Sequence, residues 1–365
     1  MDELTRYTCA EAFSGAGGVS LGLLNAGYTL LLGFDNDPIC AETIFLNRRY
    51  LQHPVMTAGI EDMLDGRLLD ILGLEQGELF LLAGGPPCQG FSVQRIGSDD
   101  DHRNDLVMLF VSLVQEVRPY YCLMENVPGI SGKRGKRILE LAIGELQRAG
   151  YWVHVAPLDA QDYGVPQRRR RIFMVGERYD LGMAAFTFPE PITPEGHRIT
   201  VRQTIGHLPS PPEDGSDHSE VSLHRRDRLS ALNKRRLAAL QPGQGREHLP
   251  YHLLADCHRI DADLIGHRNV YGRMEWNNVA PTITARFDSF TRGKFGHPEE
   301  VRSISLREGA LLQTFPVDFQ FAGTKVDIAR QIGNAVPPIL AEVIGKRILA
   351  CHESNILARR SVGAA

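Results

Sequence analysis

One cysteine in this sequence has the surroundings of a nucleophile. Cys88 follows an apolar run at residues 79–82, which predicts a buried strand, and the run stops at two glycines and two prolines, residues 84–87. The prolines fix φ and remove two backbone N–H donors, and the glycines allow a sharp turn and a close approach. A free cysteine is often a small buried apolar residue, but such a residue would lie inside the strand. The pattern therefore predicts a rigid loop that presents one thiol.

Charged side chains accompany other apolar runs. Glu125 ends the run at residues 120–124, and Arg171 leads directly into the run at residues 172–175. In a strand, Arg169 and Arg171 would point to the same face. A glutamate at a strand end, or an arginine run, is often simply solvated. A charge beside a buried strand needs an anionic or hydrogen-bonding partner, however, so we predict one for Arg171.

A glycine-rich turn near the start of the chain has the pattern of a nucleotide site. The apolar run at residues 8–13 is followed by a Ser-Gly-Ala-Gly-Gly turn at residues 14–18 and then by a helix. This arrangement directs backbone N–H groups and a helix N-terminus towards a ligand. Asp35 lies about 20 residues beyond the first glycine, where a carboxylate binds ribose hydroxyls. Because Ser20 replaces the last glycine of the strict motif, the turn alone does not separate NAD from S-adenosyl-L-methionine.

Strands and helices alternate along the first half of the chain, which predicts an open α/β sheet with helices on both faces. Ligands bind at the carboxyl ends of such strands, so the glycine turn, Asp35, Cys88 and Glu125 should gather along one edge. From about residue 186 the periodicity stops. We therefore predict a catalytic domain at residues 1–185 plus 326–352, a small domain at 186–325 and a C-terminal tail at 353–365.

Composition limits the class of protein. The 365 residues are 43% apolar and 23% charged with a net charge of −4, as expected for a globular protein. The sequence shows no apolar run of roughly 18 residues and no secretory signal, and its six scattered cysteines form no C-x-x-C pair. These features favour a reducing cytosol and argue against a bound metal. Basic residues crowd positions 225–236, which predicts either a polyanion-binding face or a solvated helix face.

Several motifs together carry a family resemblance. They are Phe-Ser-Gly-Ala-Gly-Gly at 13–18, Gly-Pro-Pro-Cys-Gln-Gly-Phe-Ser at 85–92, Glu-Asn-Val at 125–127, Gln-Arg-Arg-Arg-Arg at 167–171 and Gly-Asn-Ala-Val-Pro-Pro at 333–338. In this order they resemble the DNA (cytosine-5)-methyltransferase family of the bacterial type, over about residues 8–350 except the irregular stretch. The resemblance implies a SAM-dependent methyltransferase (Rossmann-like) sheet with a smaller irregular target-recognition domain.

The resemblance also implies a mechanism. Cys88 would add to C6 of a cytosine flipped out of duplex DNA, so that C5 can take the methyl group. Glu125 would act on N3, Arg171 would contact O2, and Arg169 would steady Cys88 and the backbone. The loop from Gln89 to about His102 would close over the base.

Cofactor and partners follow from the same resemblance. S-adenosyl-L-methionine would be the cofactor, double-stranded DNA the substrate, and the basic cluster at 225–236 would bind phosphates. Thr282 and Thr284 resemble the element that closes the recognition domain. We expect a monomer in the cytoplasm, associated with the nucleoid through DNA, with a cognate restriction endonuclease as a further partner. The positions that match the family's cofactor contacts are Phe13, Gly15, Gly17, Asp35, Ile60, Pro87, Leu106 and Asn334.

One departure and several alternatives accompany this interpretation. The family usually has an aspartate before Ile60, and here the residue is Gly59, so Glu61 or Asp62 would have to replace its contact with adenine. An RNA (transfer RNA) cytosine-5 methyltransferase of the same fold usually carries a Cys-Phe-Thr element, which this sequence lacks. A non-catalytic DNA-binding homologue would be expected to lose Cys88 or Glu125. An NAD-linked oxidoreductase would have no use for the proline-cysteine loop.

Overall fold

The computed structural model describes residues 7–87, 103–133, 135–182, 186–256, 259 and 270–362, without the side chains of 103–105 and 358–362. The chain forms two compact units. The sheet unit comprises Met1–Asp159, Arg170–Pro191 and Val336–Ala365, and the loop unit comprises Ala160–Arg169 and Ile192–Ala335. None of the helices in the described part of the chain combines the length and apolar composition of a membrane span.

The sheet unit holds seven described strands and six described helices. The strands are β1 (Thr8–Ala12), β2 (Thr29–Asp35), β3 (Val55–Thr57), β4 (Leu81–Gly84), β5 (Tyr121–Asn126), β6 (Tyr151–Asp159) and β7 (Arg170–Arg178). The helices are α1 (Gly18–Ala26), α2 (Pro38–Leu46), α3 (Arg67–Leu72), α4 (Arg103–Val117), α5 (Lys136–Arg148) and α10 (Pro338–Val362). The described α-helices of the loop unit are α6 (Val201–Ile205), α7 (Ala231–Ala238), α8 (Leu306–Leu312) and α9 (Lys325–Asn334).

The strands form one sheet in the order β3-β2-β1-β4-β5-β7-β6. The first five pair in parallel, and β7 runs antiparallel to both β5 and β6. Strand β4 is buried throughout because it lies in the middle of the sheet. Its side chains join those of β1, β2, β5 and α4 in one apolar core. The predicted α/β fold is confirmed.

Parallel pairing brings the ends of four strands to one edge of the sheet. Ala12 is paired with Phe34 on one side and with Gly84 on the other, and Gly84 is paired with Met124. The residue after each of these four positions therefore begins the segment that faces this edge. Those residues start the glycine turn, supply the Asp35 carboxylate, open the proline-cysteine loop and supply the Glu125 carboxylate.

The two units differ from the sequence-based domains at several boundaries, and residues 186–191, which were predicted to belong to the small domain, lie in the sheet unit. Residues 160–169 and 326–335 lie in the loop unit, where Gln167 and Arg169 donate hydrogen bonds to backbone carbonyls of that unit. The expected tail at 353–365 is instead helical as far as Val362. The helix continues because it still has a buried face there: Asn355 Nδ2 donates to Glu177 Oε1 at 2.9 Å.

Buried arginines replace regular secondary structure in the loop unit. Arg273 is 4% exposed, and its guanidinium donates to four carbonyls, those of Leu237, Leu240, His297 and Glu300, at 2.6–3.0 Å. Backbone carbonyls that lack a helix or sheet partner must find one when they are buried, and the five donors of a guanidinium suit this purpose. Arg273 thereby ties three separate loops together.

We predict that Arg273→Lys destabilises the loop unit by about 2–4 kcal/mol, because an ammonium cannot reach four carbonyls and each abandoned acceptor costs about 1–3 kcal/mol. Urea unfolding checks this in a Trp152→Phe background, where the fluorescence comes from Trp276 of the loop unit. The control is Arg228→Lys at an exposed position. Equal midpoints for the two variants would contradict the prediction.

Candidate active site

The glycine turn is built on left-handed backbone conformations. Gly15 and Gly17 have φ values of 51° and 82°, and Phe13 has a φ of 57°. A Cβ atom at Gly17 would lie 2.7 Å from Cδ1 of Leu51, so glycine is required by packing as well as by conformation. A Cβ atom at Gly15 would meet nothing within 4 Å. The turn is therefore closed on its Gly17 side and open at Gly15.

The Asp35 carboxylate lies directly against this turn. Its Oδ2 accepts a hydrogen bond from the Gly15 N–H at 2.9 Å, and its Oδ1 accepts one from the Asp37 N–H at 2.9 Å. The side chain is half-buried. A fixed carboxylate beside an open glycine turn fits the ribose diol of a nucleoside cofactor such as S-adenosyl-L-methionine.

Apolar candidates for cofactor contact share the core of the same unit. Ile60 is 2% exposed, and Phe13 and Leu106 are partly buried against the same apolar cluster. Gly59 precedes Ile60 in the chain and has two carboxylates close to it. Asp62 Oδ2 accepts the Gly59 N–H at 2.9 Å, and Glu61 Oε2 lies 2.8 Å from the position of a Cβ atom at Gly59.

Sequence reasoning missed Glu11, a buried carboxyl beneath the turn. Glu11 is 2% exposed in β1 and accepts a short hydrogen bond from Ser20 Oγ of α1. Burial, with a smaller contribution from the charge of Asp35, raises the pKa of Glu11 to about 8. Glu11 is thus protonated at neutral pH. The available signal was a single acidic residue inside an otherwise apolar strand.

The proline-cysteine loop starts from a tightly packed strand end. A Cβ atom at Gly84 would lie 2.6 Å from Phe110 Cε2, so only glycine fits there. Asn126 is 3% exposed, and its Nδ2 donates to the Pro86 carbonyl at 3.1 Å. Asn126 therefore ties the loop to the end of β5, a function that sequence analysis did not assign within the Glu-Asn-Val motif. Pro87 is half-buried, and Cys88 lies outside the described residues.

Glu125 and Arg171 meet at the same place. Arg171 Nε lies 2.8 Å from Glu125 Oε1, and both side chains are about one-seventh exposed, 13% and 14%. The two groups pair by charge, since Nε is not aligned for a hydrogen bond. Glu125 Oε2 lies 3.5 Å from the position of a Cβ atom at Gly85. The carboxylate is thus held between an arginine and the start of the cysteine loop, and it supplies the anionic partner that Arg171 was predicted to need.

A small recess opens beside Glu125. Its walls are side chains and backbone of α1, β4, β5, β7 and the start of α10, and they are apolar except for the carboxylate. A carboxylate in apolar surroundings interacts strongly with any hydrogen-bonding group that enters, because water does not screen it. The residues that line the recess are Val19, Ala83, Gly84, Leu123, Glu125, Phe173, Val336 and Ala341.

Arg169 and Asn334 lie in the loop unit. Arg169 is 1% exposed and precedes β7, so the expected shared strand face with Arg171 does not form. Its guanidinium donates to the carbonyls of Ile283 and Gly333 at 3.0 Å. The proposed contact of Arg169 with Cys88 falls on a residue outside the described part of the chain. Thr282 Oγ1 donates to the Arg168 carbonyl at 2.6 Å.

The basic cluster at 225–236 divides into two groups. Arg226 Nη2 lies 2.8 Å from Glu300 Oε2, and the buried Arg236 donates to the Leu253 carbonyl at 2.7 Å. These two side chains hold the loop unit together. The other members are exposed and have no partner among the described residues: Arg225, Arg228, Lys234 and Arg235.

No metal site or disulfide emerges from the described residues. Within those ranges no cluster of histidine, cysteine, aspartate and glutamate could hold a metal ion. The described cysteines are buried free thiols: Cys9, Cys40, Cys122 and Cys351.

We predict that Glu11→Gln changes how stability depends on pH. The pKa of Glu11 is raised on folding from 4.5 to about 8, so its contribution is fully present below about pH 4.5 and is lost as the pH rises through about 8. The stability of the wild type relative to the glutamine variant should fall across this window, by up to about 1.4 kcal/mol for each pH unit. Urea unfolding at a series of pH values measures this difference. A difference independent of pH would refute the prediction, and Glu42→Gln on exposed α2 controls for the lost charge.

Comparison with known proteins identifies the family. The family model of the C-5 cytosine-specific DNA methylase matches residues 7–350. The chain is 37% identical to the type II methylase M.HgiDII of Herpetosiphon aurantiacus over 345 residues, which cover 93% of this chain and 94% of that protein. It is 34% identical to the type II methyltransferase M1.HphI of Haemophilus parahaemolyticus over 355 residues, covering 95% and 88%.

Solved structures agree with this assignment. A prophage-encoded protein of E. coli, described as a DNA modification methyltransferase, matches with a TM-score of 0.72 and 26% identity over 94% of this chain and 99% of that chain. The Dnmt2 methyltransferase of S. pombe shares the fold, with a TM-score of 0.62 and 18% identity over 96% and 99%. The family resemblance, the enzyme class and the cofactor predicted from sequence are thus confirmed. The chain belongs to the C-5 cytosine-specific DNA methylase family, whose members are S-adenosyl-L-methionine-dependent DNA (cytosine-5)-methyltransferases.

Proposed function

We propose that this protein methylates C5 of a cytosine that is flipped out of a specific short sequence of duplex DNA, through a covalent bond between Cys88 and C6. One observation carries the proposal. Glu125 is held 2.8 Å from Arg171 and lies beside Gly85, three residues before Cys88 in the same loop. A carboxyl and a guanidinium at one sheet edge, beside the segment that leads in sequence to the thiol, can act together on one ring.

The chemistry starts at the thiol, because cytosine C5 is a weak nucleophile. The Cys88 thiolate forms a bond to C6, and the electrons of the C5–C6 double bond move into the ring. Glu125, in its protonated form, donates a proton to N3 and so relieves the negative charge, while Arg171 stabilises O2. When bound, S-adenosyl-L-methionine supplies a methyl group on a positively charged sulfur. C5 would take this methyl group as the methyl–sulfur bond breaks and S-adenosyl-L-homocysteine leaves. A base would then remove the C5 proton, the N3 proton would return to Glu125, and the C6–sulfur bond would break to release the Cys88 thiolate.

The cofactor would bind at the open side of the glycine turn. Asp35 is positioned for the ribose hydroxyls, and Phe13, Ile60, Pro87 and Leu106 offer apolar surface for the adenine ring. Glu61 and Asp62 lie against Gly59, where they can accept a hydrogen bond from the adenine amino group. Gly15 and Gly17 shape the turn, and Asn334 is the remaining residue that we propose as a cofactor contact.

The loop unit would recognise the target sequence. Its four exposed basic residues without a described partner suit phosphate contacts, which give affinity but do not read sequence. The described relatives are type II enzymes, so a cognate restriction endonuclease is the further partner that we propose. We also propose a monomer that works on cytoplasmic DNA.

Activity and the covalent step can be tested together. The wild type should transfer labelled methyl groups to cytosine in duplex DNA, and bisulfite sequencing of host DNA should show methylation at one short motif. DNA containing 5-fluorocytosine blocks removal of the C5 substituent, so it should trap a covalent adduct that Cys88→Ser abolishes. Glu125→Gln should slow transfer by about 10²–10⁴-fold, the usual contribution of an acid–base group.

Several results would contradict this scheme. A trapped adduct that survives Cys88→Ser would exclude Cys88 as the nucleophile. Methylation of transfer RNA without methylation of DNA would exclude the DNA substrate. Glu140→Gln, an exposed glutamate on α5, is the matched control and should leave the rate unchanged.

The phosphate contacts predict a specific dependence on salt. Lys234→Gln and Arg235→Gln should weaken binding to cognate and unrelated duplexes by a similar factor. Each should also reduce the slope of log K against log salt by about 0.9, because one fewer counterion is released. Lys346→Gln on α10 is the control. Unchanged slopes would show that this face is merely solvated.

A further inference from the structure

The C-terminal end of α9 is capped by side chains from distant parts of the chain. The last carbonyls of a helix have no partner within it. Gln313 Nε2 donates to the Ile332 carbonyl at 2.7 Å and to the Ala335 carbonyl at 2.8 Å. Arg169 donates to the Gly333 carbonyl at 3.0 Å. The carbonyls around Asn334 are therefore fixed from outside the helix.

The orientation of Gln313 is itself fixed. Gln167 Nε2 donates to Gln313 Oε1 at 2.6 Å and to the Leu312 carbonyl at 3.2 Å, while Gln167 Oε1 accepts the Ile283 N–H at 2.8 Å. Gln167 and Gln313 are both fully buried. Because each amide has partners of opposite kind at its two ends, neither can flip without losing hydrogen bonds. The amide nitrogen of Gln313 must therefore point at the helix end.

Close packing removes the remaining freedom of this segment. A Cβ atom at Gly333 would lie 2.2 Å from the backbone carbon of Thr284, so the helix end rests directly on another backbone segment. The Arg169 guanidinium bonds to both segments, through the carbonyls of Ile283 and Gly333. Its positive charge also suits the negative end of the helix dipole. Asn334 thus has a rigid support whose hydrogen bonds come from Gln313 and Arg169.

We infer that Gln313 is a positioning residue for Asn334 and thereby sets the affinity for the cofactor, although it need not touch the cofactor. The inference rests on the proposed function, in which Asn334 contacts S-adenosyl-L-methionine. Gln313 donates to the carbonyls two residues before and one residue after Asn334. Losing both bonds would let the segment move, and a shift of about 1 Å is enough to weaken an oriented contact severely.

The test compares single and double variants for cofactor binding. Gln313→Met has a similar length but no donors, and it should raise the dissociation constant of S-adenosyl-L-methionine about tenfold while kcat at saturating cofactor changes less. Asn334→Ala should weaken binding at least as much. The double variant should bind no more weakly than Asn334→Ala alone, because Gln313 acts through Asn334. Calorimetry or equilibrium dialysis gives the constants.

A matched control separates positioning from general stability. Gln331→Met removes a buried amide one turn earlier in α9, where Nε2 donates to the Ala322 carbonyl at 2.9 Å. It should lower the melting temperature. Its effect on the free energy of cofactor binding should add to that of Asn334→Ala. If Gln313→Met does not fold, Gln313→Asn takes its place, because it keeps the amide but shortens its reach.

The outcomes distinguish the inference from the function on which it rests. If Asn334→Ala leaves cofactor binding unchanged, the contact of Asn334 is wrong and the inference falls with it. If Asn334→Ala weakens binding but the Gln313 variant does not, the inference alone is overturned. Losses of cofactor affinity that multiply in the double variant would also overturn the inference, because they would show that Gln313 acts independently of Asn334, through stability alone.

Discussion

Hydrogen bonds from buried side chains to backbone carbonyls are the interaction on which the loop unit depends. Its described segments contain only short helices and isolated bridges, so many carbonyls lack a partner in regular structure. Arg307 is fully buried and donates to the carbonyls of Ser222, Pro316 and Phe319, as Arg273 does elsewhere in the unit. Burial lowers the pKa of Arg307 to about 10, so it remains charged at neutral pH. An irregular chain can thus be rigid, as the proposed recognition of DNA by this unit would require.

In the sheet unit, side chains are held in place mainly by the pairing of the strands. Parallel strands deliver their carboxyl ends to one edge, and the side chains that follow them are locked by short contacts. Asp35 is held by two backbone N–H groups, Glu125 by Arg171, and the proline-cysteine loop by Asn126. Gly15, Arg171 and Asn126 each lie in a strand, or in the turn after a strand, other than the one whose end they hold. Positions on the sheet edge therefore depend on strand register, whereas positions in the loop unit depend on individual side chains.

This difference explains what sequence analysis achieved. The α/β fold and the placement of Asp35 and Glu125 were predictable, because strand periodicity and pairing rules are local or simple. The family motifs added the enzyme class and the cofactor. The partners of Gln313 and Arg273 were not predictable, because they are carbonyls distant in sequence and every residue has a carbonyl. Glu11 and the C-terminal part of α10 were missed for a related reason, since their partners lie on other elements.

Arg169 and Arg171 are two residues apart in the arginine run, yet their side chains have different kinds of partner. The sequence predicted a strand in which Arg169 and Arg171 point to the same face. Strand β7 begins only at Arg170, so the alternation of side chains between the two faces does not extend to Arg169. Arg171 faces a carboxylate, and its charge balances that of Glu125. Arg169 faces neutral carbonyls at the end of α9, where the helix dipole supplies the balancing negative potential. Lysine would keep the charge at either site but lose the planar fork, and the loss should matter more at Arg169, where two carbonyls from separate segments must be reached at once.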